Sequence, residues 1–317
     1  MKKTDKIYVA GHRGLAGSAL MLQLQAKGYS NLITRTHAEL DLIDQHAVRD
    51  FFAAETPDYV LLAAAKVGGI VANSTYPAEF IHQNLTIQTN VIHESYRTGV
   101  KRLLFLGSSC IYPRDCPQPM QEEYLLTGLL EATNRPYAVA KIAGIEMCHA
   151  YNRQYGTQYL AVMPTNLYGP GDNYDLNNSH VLPALIRKIH EAKNRGDQEV
   201  VLWGTGTPRR EFLYSNDMAE ACLYLLEQPE EKLTMLFSDQ KTPLVNVGFG
   251  EDITIRELAE LIKMVIGFTG SLTFDSSKPD GTMQKLLDVS KLNLMGWKAK
   301  TSLTDGLAFA YESYLIK

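Results

Sequence analysis

The sequence predicts an α/β protein: a doubly wound parallel sheet followed by a smaller C-terminal α/β region. Three observations predict it. Short apolar runs alternate with helical segments through the first half of the chain, the pattern of parallel strands joined by right-handed crossovers. A glycine triplet, Gly11-His12-Arg13-Gly14-Leu15-Ala16-Gly17, separates the first apolar run from the first helix. After about Pro164 the pattern breaks into loops rich in Asn, Gly and Pro, with shorter elements between them.

The elements follow in order. Residues 6–10 read as a buried strand, followed by the glycine turn and a helix ending near Gly28. Residues 31–34 form a second short strand. Residues 44–55 read as a helix with Asp44 as its N-cap. Residues 59–64 form a third strand, and residues 77–99 a long helix closed by Gly99. Residues 102–106 form a fourth strand running into GSSCIYP, residues 137–155 a second long helix, and residues 159–163 a fifth strand. Residues 212–228 and 245–247 read as a helix and a strand returning to the first sheet. Residues 254–266 and 302–314 read as amphipathic helices of the second region. The expected division is 1–165 with about 212–248 for the first region, and about 166–211 with 249–317 for the second.

Composition narrows the function. The 317 residues suffice for about two domains and a core without staples. Hydrophobic residues at 45% and charged residues at 21% exclude a disordered or fibrous chain. A net charge of −4 argues against a bulk nucleic-acid binder. Cys110, Cys116, Cys148 and Cys222 are too few for a disulfide scaffold and include no C-x-x-C pair, so no structural zinc is expected. The start MKKTDKIYVAGHRG has too short an apolar run for a signal peptide, and no run is long enough to span a membrane. A cytoplasmic protein with no metal is expected.

The glycine motif suits a dinucleotide: small residues permit a tight turn and close approach of a pyrophosphate to a helix N-terminus. Its G-x-x-G-x-x-G spacing differs from the commonest fingerprint, and a structural turn is the alternative. After the second strand the chain reads Thr34-Arg35-Thr36-His37, with no acid until Glu39. An NAD site usually has an acid there for the ribose hydroxyls. Arg13 and Arg35 instead suit a 2′-phosphate, so NADP is expected, unless Arg35 is merely a solvated loop end.

Tyr137 and Lys141 stand at i and i+4 and share a helix face. An ammonium there would lower the phenol pKa from about 10 and suit it to protonate a carbonyl oxygen. With 17 tyrosines in the chain, roughly one such pair is expected by chance. Two neighbours strengthen it. Ser108-Ser109 ends the fourth strand, where ligands bind in doubly wound sheets, and the Tyr-bearing helix directly precedes the fifth strand. Ser108 could hydrogen-bond the reacting carbonyl.

Here the sequence resembles the extended short-chain dehydrogenase/reductase family, over essentially the whole chain. Within it the chain is most similar to the branch that epimerises and reduces GDP-4-keto-6-deoxy-D-mannose. The segments AGHRGLAGSA (10–19) and PYAVAKIAGIE (136–146) are shared across the family. GSSCIYP, NSHVLPAL and KPDGT are specific to that branch. The resemblance implies a Rossmann-type NADP-binding domain, a smaller substrate domain, and a homodimer formed by the two long helices. It implies Cys110 as base and His180 as acid for inverting carbons 3 and 5, with Ser108, Tyr137 and Lys141 serving reduction at carbon 4. It also implies cofactor contacts at Gly11 to Gly17, Arg35, His37, Asp41, Leu42, Ala64, Leu106, Gly107, Ser109, Pro164, Thr165, Asn166 and Leu167. Lys188, Trp203, Arg210 and Asp280 would hold the GDP, with Asn166 and Lys285 as further contacts. Cys110 must be partly thiolate to serve, so a local field is expected to lower its pKa.

Two departures stand out. His37 replaces an arginine often found after the second strand, which makes the NADP preference weaker or pH-dependent. Arg187-Lys188 replaces a frequent arginine pair, and lysine loses bidentate geometry. The expected activity is therefore an NADP-dependent epimerase–reductase of a GDP-4-keto-6-deoxyhexose. A 4-reductase of a related GDP-keto dideoxyhexose or heptose is the nearest rival. A non-catalytic NADP-binding regulator is the rival of another class, disfavoured by the intact Ser108, Tyr137 and Lys141.

Overall fold

The computed structural model describes residues 1–176, 179–233, 236–237, 242–278 and 280–316. Asn177 and Asn178 of the Asn-rich loop, and Pro279 of KPDGT, lie outside the described residues. Along the chain, β1 (Ile7–Ala10) feeds α1 (Leu15–Ala26), β2 (Leu32–Ile33) leads to α2 (Gln45–Glu55), and β3 (Tyr59–Leu62) leads to α3 (Ile70–Thr75) and α4 (Pro77–Arg97). β4 (Arg102–Leu106) precedes α5 (Arg135–Tyr155). β5 (Tyr159–Pro164) and β6 (Asn166–Tyr168) precede α6 (Val181–Arg195). There follow β7 (Glu199–Trp203), β8 (Arg209–Tyr214), α7 (Ser215–Glu227), α8 (Glu230–Leu233), β9 (Leu244–Val247), β10 (Asp252–Thr254) and α9 (Ile255–Ile266). β11 (Ser271–Asp275), β12 (Gln284–Lys285), α10 (Ser290–Met295) and α11 (Leu303–Ile316) complete the chain.

Six strands form a parallel sheet in the order β2-β1-β3-β4-β5-β9. Every residue of β1, β3, β5 and β9 is buried, as expected of strands covered on both faces. One face packs on α1 and α7 through residues such as Leu20, Leu24, Met218 and Cys222. The other packs on α2, α4 and α5 through Phe52, Val91 and Ile142. The chain steps from β1 outward to β2, then crosses back to β3 on the other side of β1. Loops leaving β1 and β3 therefore diverge and open a crevice at the strands' C-terminal ends.

Local signals explain the element ends. The Asp44 carboxylate accepts bonds from the His46 and Ala47 amides, at 2.9 and 3.1 Å, and starts α2. Thr254 and Glu257 form a capping box at the start of α9. Among the described residues no helix is long and apolar enough to cross a membrane.

The second region centres on β8, which pairs with β10, β12 and β6. β7 and β11 form a separate parallel pair. A third core joins α6, α9 and α11 to these strands. Two expectations are corrected here. Residues 212–228 are not one helix: Phe212, Leu213 and Tyr214 end β8, where the β6 ladder satisfies their backbone and Phe212 and Tyr214 enter the third core. The stretch beyond Pro164 is also less irregular than its composition suggests. Its loops end at His180, where α6 begins, and left-handed Gly196 closes that helix.

Candidate active site

A cleft of about 1080 Å³ opens at the C-terminal ends of β1, β3, β4 and β5. At its base lies the glycine turn. Gly11 is left-handed (φ 84°), and a Cβ there would lie 2.7 Å from the Ala64 amide nitrogen. A Cβ on Gly17 would lie 2.1 Å from the Gly11 carbonyl oxygen. These two glycines are demanded by the fold. Gly14 is not: its φ of −76° is open to any residue, and a Cβ there would meet only the Gly11 oxygen at 3.5 Å. Gly14 is the N-cap of α1, with no side-chain cap and no acid in the first turn. An uncapped helix N-terminus with a bare Cα facing the cleft fits a pyrophosphate. Arg13, Leu15, Ala16 and Ala64 line the same wall. His12 does not; among the described residues its buried Nδ1 has no hydrogen-bond partner.

Arg35, His37, Asp41 and Leu42 line one end of the cleft. Arg35 is already engaged there. Its guanidinium pairs with Glu55 at 2.6 Å and lies 5.3 Å from the Phe51 ring centroid. His37 is 81% exposed, with Nδ1 3.6 Å from Asp41. Arg13 keeps its side chain in solvent.

The other end gathers the chemistry. β4 runs through Leu106 and Gly107 into a single 3-10 turn, Ser109–Ile111, which Ser108 caps by accepting the Cys110 amide at 3.4 Å. The Ser108 hydroxyl also stands close enough to the Tyr137 phenol and to the Cys110 thiol to favour the ionised form of each. The Tyr137 ring meets Phe80 edge-on at 6.2 Å. Lys141, 3% exposed, donates to the Leu106 carbonyl at 2.7 Å and sits 4.7 Å from the Phe105 ring centroid. Ser109 and, from the end of β5, Pro164, Thr165, Asn166 and Leu167 complete this wall. Asn166 donates to the Glu211 carbonyl at 2.8 Å.

Electrostatics here differ from expectation. Burial pushes the Tyr137 phenol up, with Cys110 adding to the rise and the Ser108 bond opposing it. Lys141 does not lower it, because its ammonium is turned onto the Leu106 carbonyl. Burial also raises the Cys110 thiol, against the pull of Ser108, Lys285 and Lys141. The expected lowering of both groups is thus corrected: desolvation outweighs the local field. Burial brings Lys141 down to about 8, with Cys110 opposing.

His180 stands at the N-cap of α6 and lines the cleft. Desolvation by the surrounding protein lowers its pKa from 6.5, although the side chain is still exposed to the open cleft.

The remaining expected residues form a second cluster beside the cleft. Trp203, 65% exposed, has the Lys188 ammonium 5.4 Å from its ring and the Lys278 ammonium 5.8 Å away. Arg210 is lowered by burial and opposed by Asp280. Asp280 accepts the Thr205 amide and hydroxyl at 2.9 and 2.7 Å. Lys285 lies in register with Arg210. Arg187 of the Arg187-Lys188 pair lines the main cleft, as do Lys66, Val67 and Gly68; the last three and Lys278 were not expected from the residues one by one. The AKVGG run after the third strand was the available signal for Lys66, Val67 and Gly68. Among the described residues no group of His, Cys, Asp and Glu could hold a metal ion.

Comparisons with known proteins agree with this geometry. The model of the NAD dependent epimerase/dehydratase family matches residues 7–238. GDP-L-fucose synthase 1 of Arabidopsis thaliana is 58% identical over 99% of the chain and 94% of its own length. GDP-L-fucose synthase of Escherichia coli (strain K12) is 54% identical over 98% of the chain and 97% of its own length. The structure of a GDP-mannoheptose C4 reductase from Campylobacter jejuni with NADP bound superposes with a TM-score of 0.91, at 42% identity, covering 99% of each chain.

Proposed function

The chain belongs to the NAD dependent epimerase/dehydratase family and, within it, stands with the GDP-L-fucose synthases, and we propose that it converts GDP-4-keto-6-deoxy-D-mannose to GDP-L-fucose. The reaction is epimerisation at carbons 3 and 5, then reduction of the carbon-4 carbonyl. One observation carries this reading: the Cys110 thiol and the Tyr137 phenol both stand beside the Ser108 hydroxyl and feel each other's charge. A reductase needs the phenol; only proton abstraction from carbon needs the thiol.

The 4-keto group acidifies the protons on carbons 3 and 5. Cys110 as thiolate takes one of them: the C–H bond breaks, an S–H bond forms, and the electron pair moves onto the carbonyl oxygen. Ser108 and Tyr137 hold that enolate oxygen. His180 returns a proton from the opposite face. NADPH, when bound, supplies the hydride for carbon 4. Tyr137 gives its proton to the developing alkoxide, and the raised phenol pKa keeps that proton in place until then. Lys141, whose pKa of about 8 leaves it charged at neutral pH, holds the end of β4 in place through the Leu106 carbonyl.

Arg13 and Arg35 would hold the 2′-phosphate of NADPH, with Arg35 shared with Glu55. His37 lines the same end of the cleft, beside Asp41. The glycine turn and the ends of β4 and β5 hold the rest of the cofactor. Arg210 and Lys188 suit the substrate diphosphate and Trp203 the nucleoside, with Asp280, Asn166 and Lys285 as further contacts. The six-stranded sheet serves as cofactor domain and the β8-centred region as substrate domain. A homodimer through α4 and α5 fits their mutual packing and the aromatic group Tyr96, Tyr151 and Tyr155 on their surface. Four free thiols fit a cytoplasmic location.

Incubation with NADPH and GDP-4-keto-6-deoxy-D-mannose in deuterated water, followed by NMR of the product, tests the reading. GDP-L-fucose deuterated at carbons 3 and 5 is expected, and Cys110→Ser should lose the label while still binding cofactor. Reduction without label supports a second reading, a 4-reductase like the Campylobacter heptose enzyme.

A further inference from the structure

Lys285 is a cation with an unusual lack of partners. Its surroundings desolvate it, and its charge meets Cys110, Arg210, Glu131 and Cys116. Among the described residues its ammonium has neither a hydrogen-bond acceptor nor a salt-bridged carboxylate. The backbone that carries it is held on several sides. β12 sets Lys285 opposite Arg210 of β8. The buried Glu211 carboxylate accepts the Leu287 amide at 2.9 Å and the Gly250 amide at 2.7 Å. The loop that leaves the Cys110 turn returns beside the same segment. Gln118 Oε1 accepts the Leu286 amide at 2.9 Å, the Met120 amide donates to the Leu286 carbonyl at 2.7 Å, and the Asp288 amide donates to the Met120 carbonyl at 2.8 Å. Asn246 ties the Cys110 turn to the same segment: its amide oxygen accepts the Tyr112 hydroxyl, two residues after Cys110, and its amide nitrogen donates to the Met120 and Asp288 carbonyls.

We propose that Lys285 is the counter-ion of Cys110, a positioning residue whose uncommitted ammonium offsets part of the burial cost of the thiolate that deprotonates the substrate. The proposal rests on the reading of Cys110 as the epimerisation base. Lys141, the other cation near the thiol, is spent on the Leu106 carbonyl. The thiol proton leaves to water, the ammonium stays charged beside the sulfur, and that sulfur then forms its S–H bond with the substrate proton. The titratable groups around the pair are Tyr137 and Lys141 on α5, Arg210 on β8, Cys116 on the loop after the Cys110 turn and Glu131 before α5. Burial opposes the thiolate, so an unpaired cation is what this sulfur needs.

The test uses the full-length enzyme, wild type, Lys285→Met and Lys285→Arg. Iodoacetamide labelling of Cys110 is followed by peptide mass spectrometry from about pH 6 to about pH 10, without substrate. Cys148 and Cys222 are wholly buried, so their protection, with NADPH binding, reports an intact fold. In K285M the labelling midpoint should rise by about one pH unit or more, a tenfold loss of thiolate at fixed pH. K285R should restore the midpoint. Deuterium wash-in at carbons 3 and 5 should fall in K285M and recover as pH is raised. An unchanged midpoint in K285M would overturn the proposal whatever the KM for the GDP-sugar, and would leave Lys285 as a substrate contact alone. Wash-in that survives in C110S would instead sink the underlying reading of Cys110, while the labelling midpoints still report whether Lys285 and Cys110 are coupled.

Discussion

Lys141→Met should make the enzyme inactive yet change its stability in a pH-dependent way. Lys141 is 3% exposed, and burial lowers its pKa from 10.5 to about 8. The difference of 10.5 minus 8 corresponds to about 3 kcal/mol of destabilisation while the folded protein keeps the buried lysine charged. Between those two values the unfolded chain binds more protons than the folded one, so this group makes stability rise with pH there. The penalty is complete below about pH 8 and gone above about pH 10.5. Methionine removes it and nearly preserves the volume. It also leaves the Leu106 carbonyl without its donor, a loss of about 1.5–3 kcal/mol that offsets the gain at neutral pH. The difference in unfolding free energy, variant minus wild type, should therefore start near zero or slightly positive. It should fall by about 2 kcal/mol between about pH 7 and about pH 9.5. Urea unfolding followed by far-UV circular dichroism across that range measures it. Parallel wild-type and variant curves would refute the argument, since they would mean that Lys141 titrates alike in folded and unfolded chains.

Other outcomes follow from the same geometry. Gly17→Ala should destabilise the fold by about 1–3 kcal/mol, because its Cβ meets backbone rather than a flexible side chain. Gly14→Ala should melt close to the wild type yet weaken NADPH binding by about tenfold or more, read by fluorescence titration. Glu55→Gln frees Arg35 from an ion pair with both side chains partly exposed; the NADPH-over-NADH preference should rise, by no more than about fivefold. Trp203→Ala should raise the KM for the GDP-sugar by about tenfold, through loss of an aromatic platform flanked by Lys188 and Lys278.

The sequence by itself determined the cofactor sheet, the glycine turn and the Tyr137–Lys141 helix. These are written in local code: uninterrupted apolar runs for strands buried on both faces, an Asp44 cap, and a spacing that puts two side chains on one helix face. It misread residues 212–214 as helix, because a short apolar run before a true helix carries no periodicity of its own. Tertiary structure alone decided which polar groups meet. Arg35 is held by Glu55 from the end of α2, Asp280 is tied to Thr205, and the charge of Lys285, near the far end of the chain, reaches Cys110. It also decided the direction in which burial moves the acidic groups, reversing the expected lowering of Tyr137 and Cys110. The reason is physical: propensity and periodicity act between near neighbours, whereas desolvation and Coulomb interaction depend on every group packed around an atom, whatever its distance along the chain.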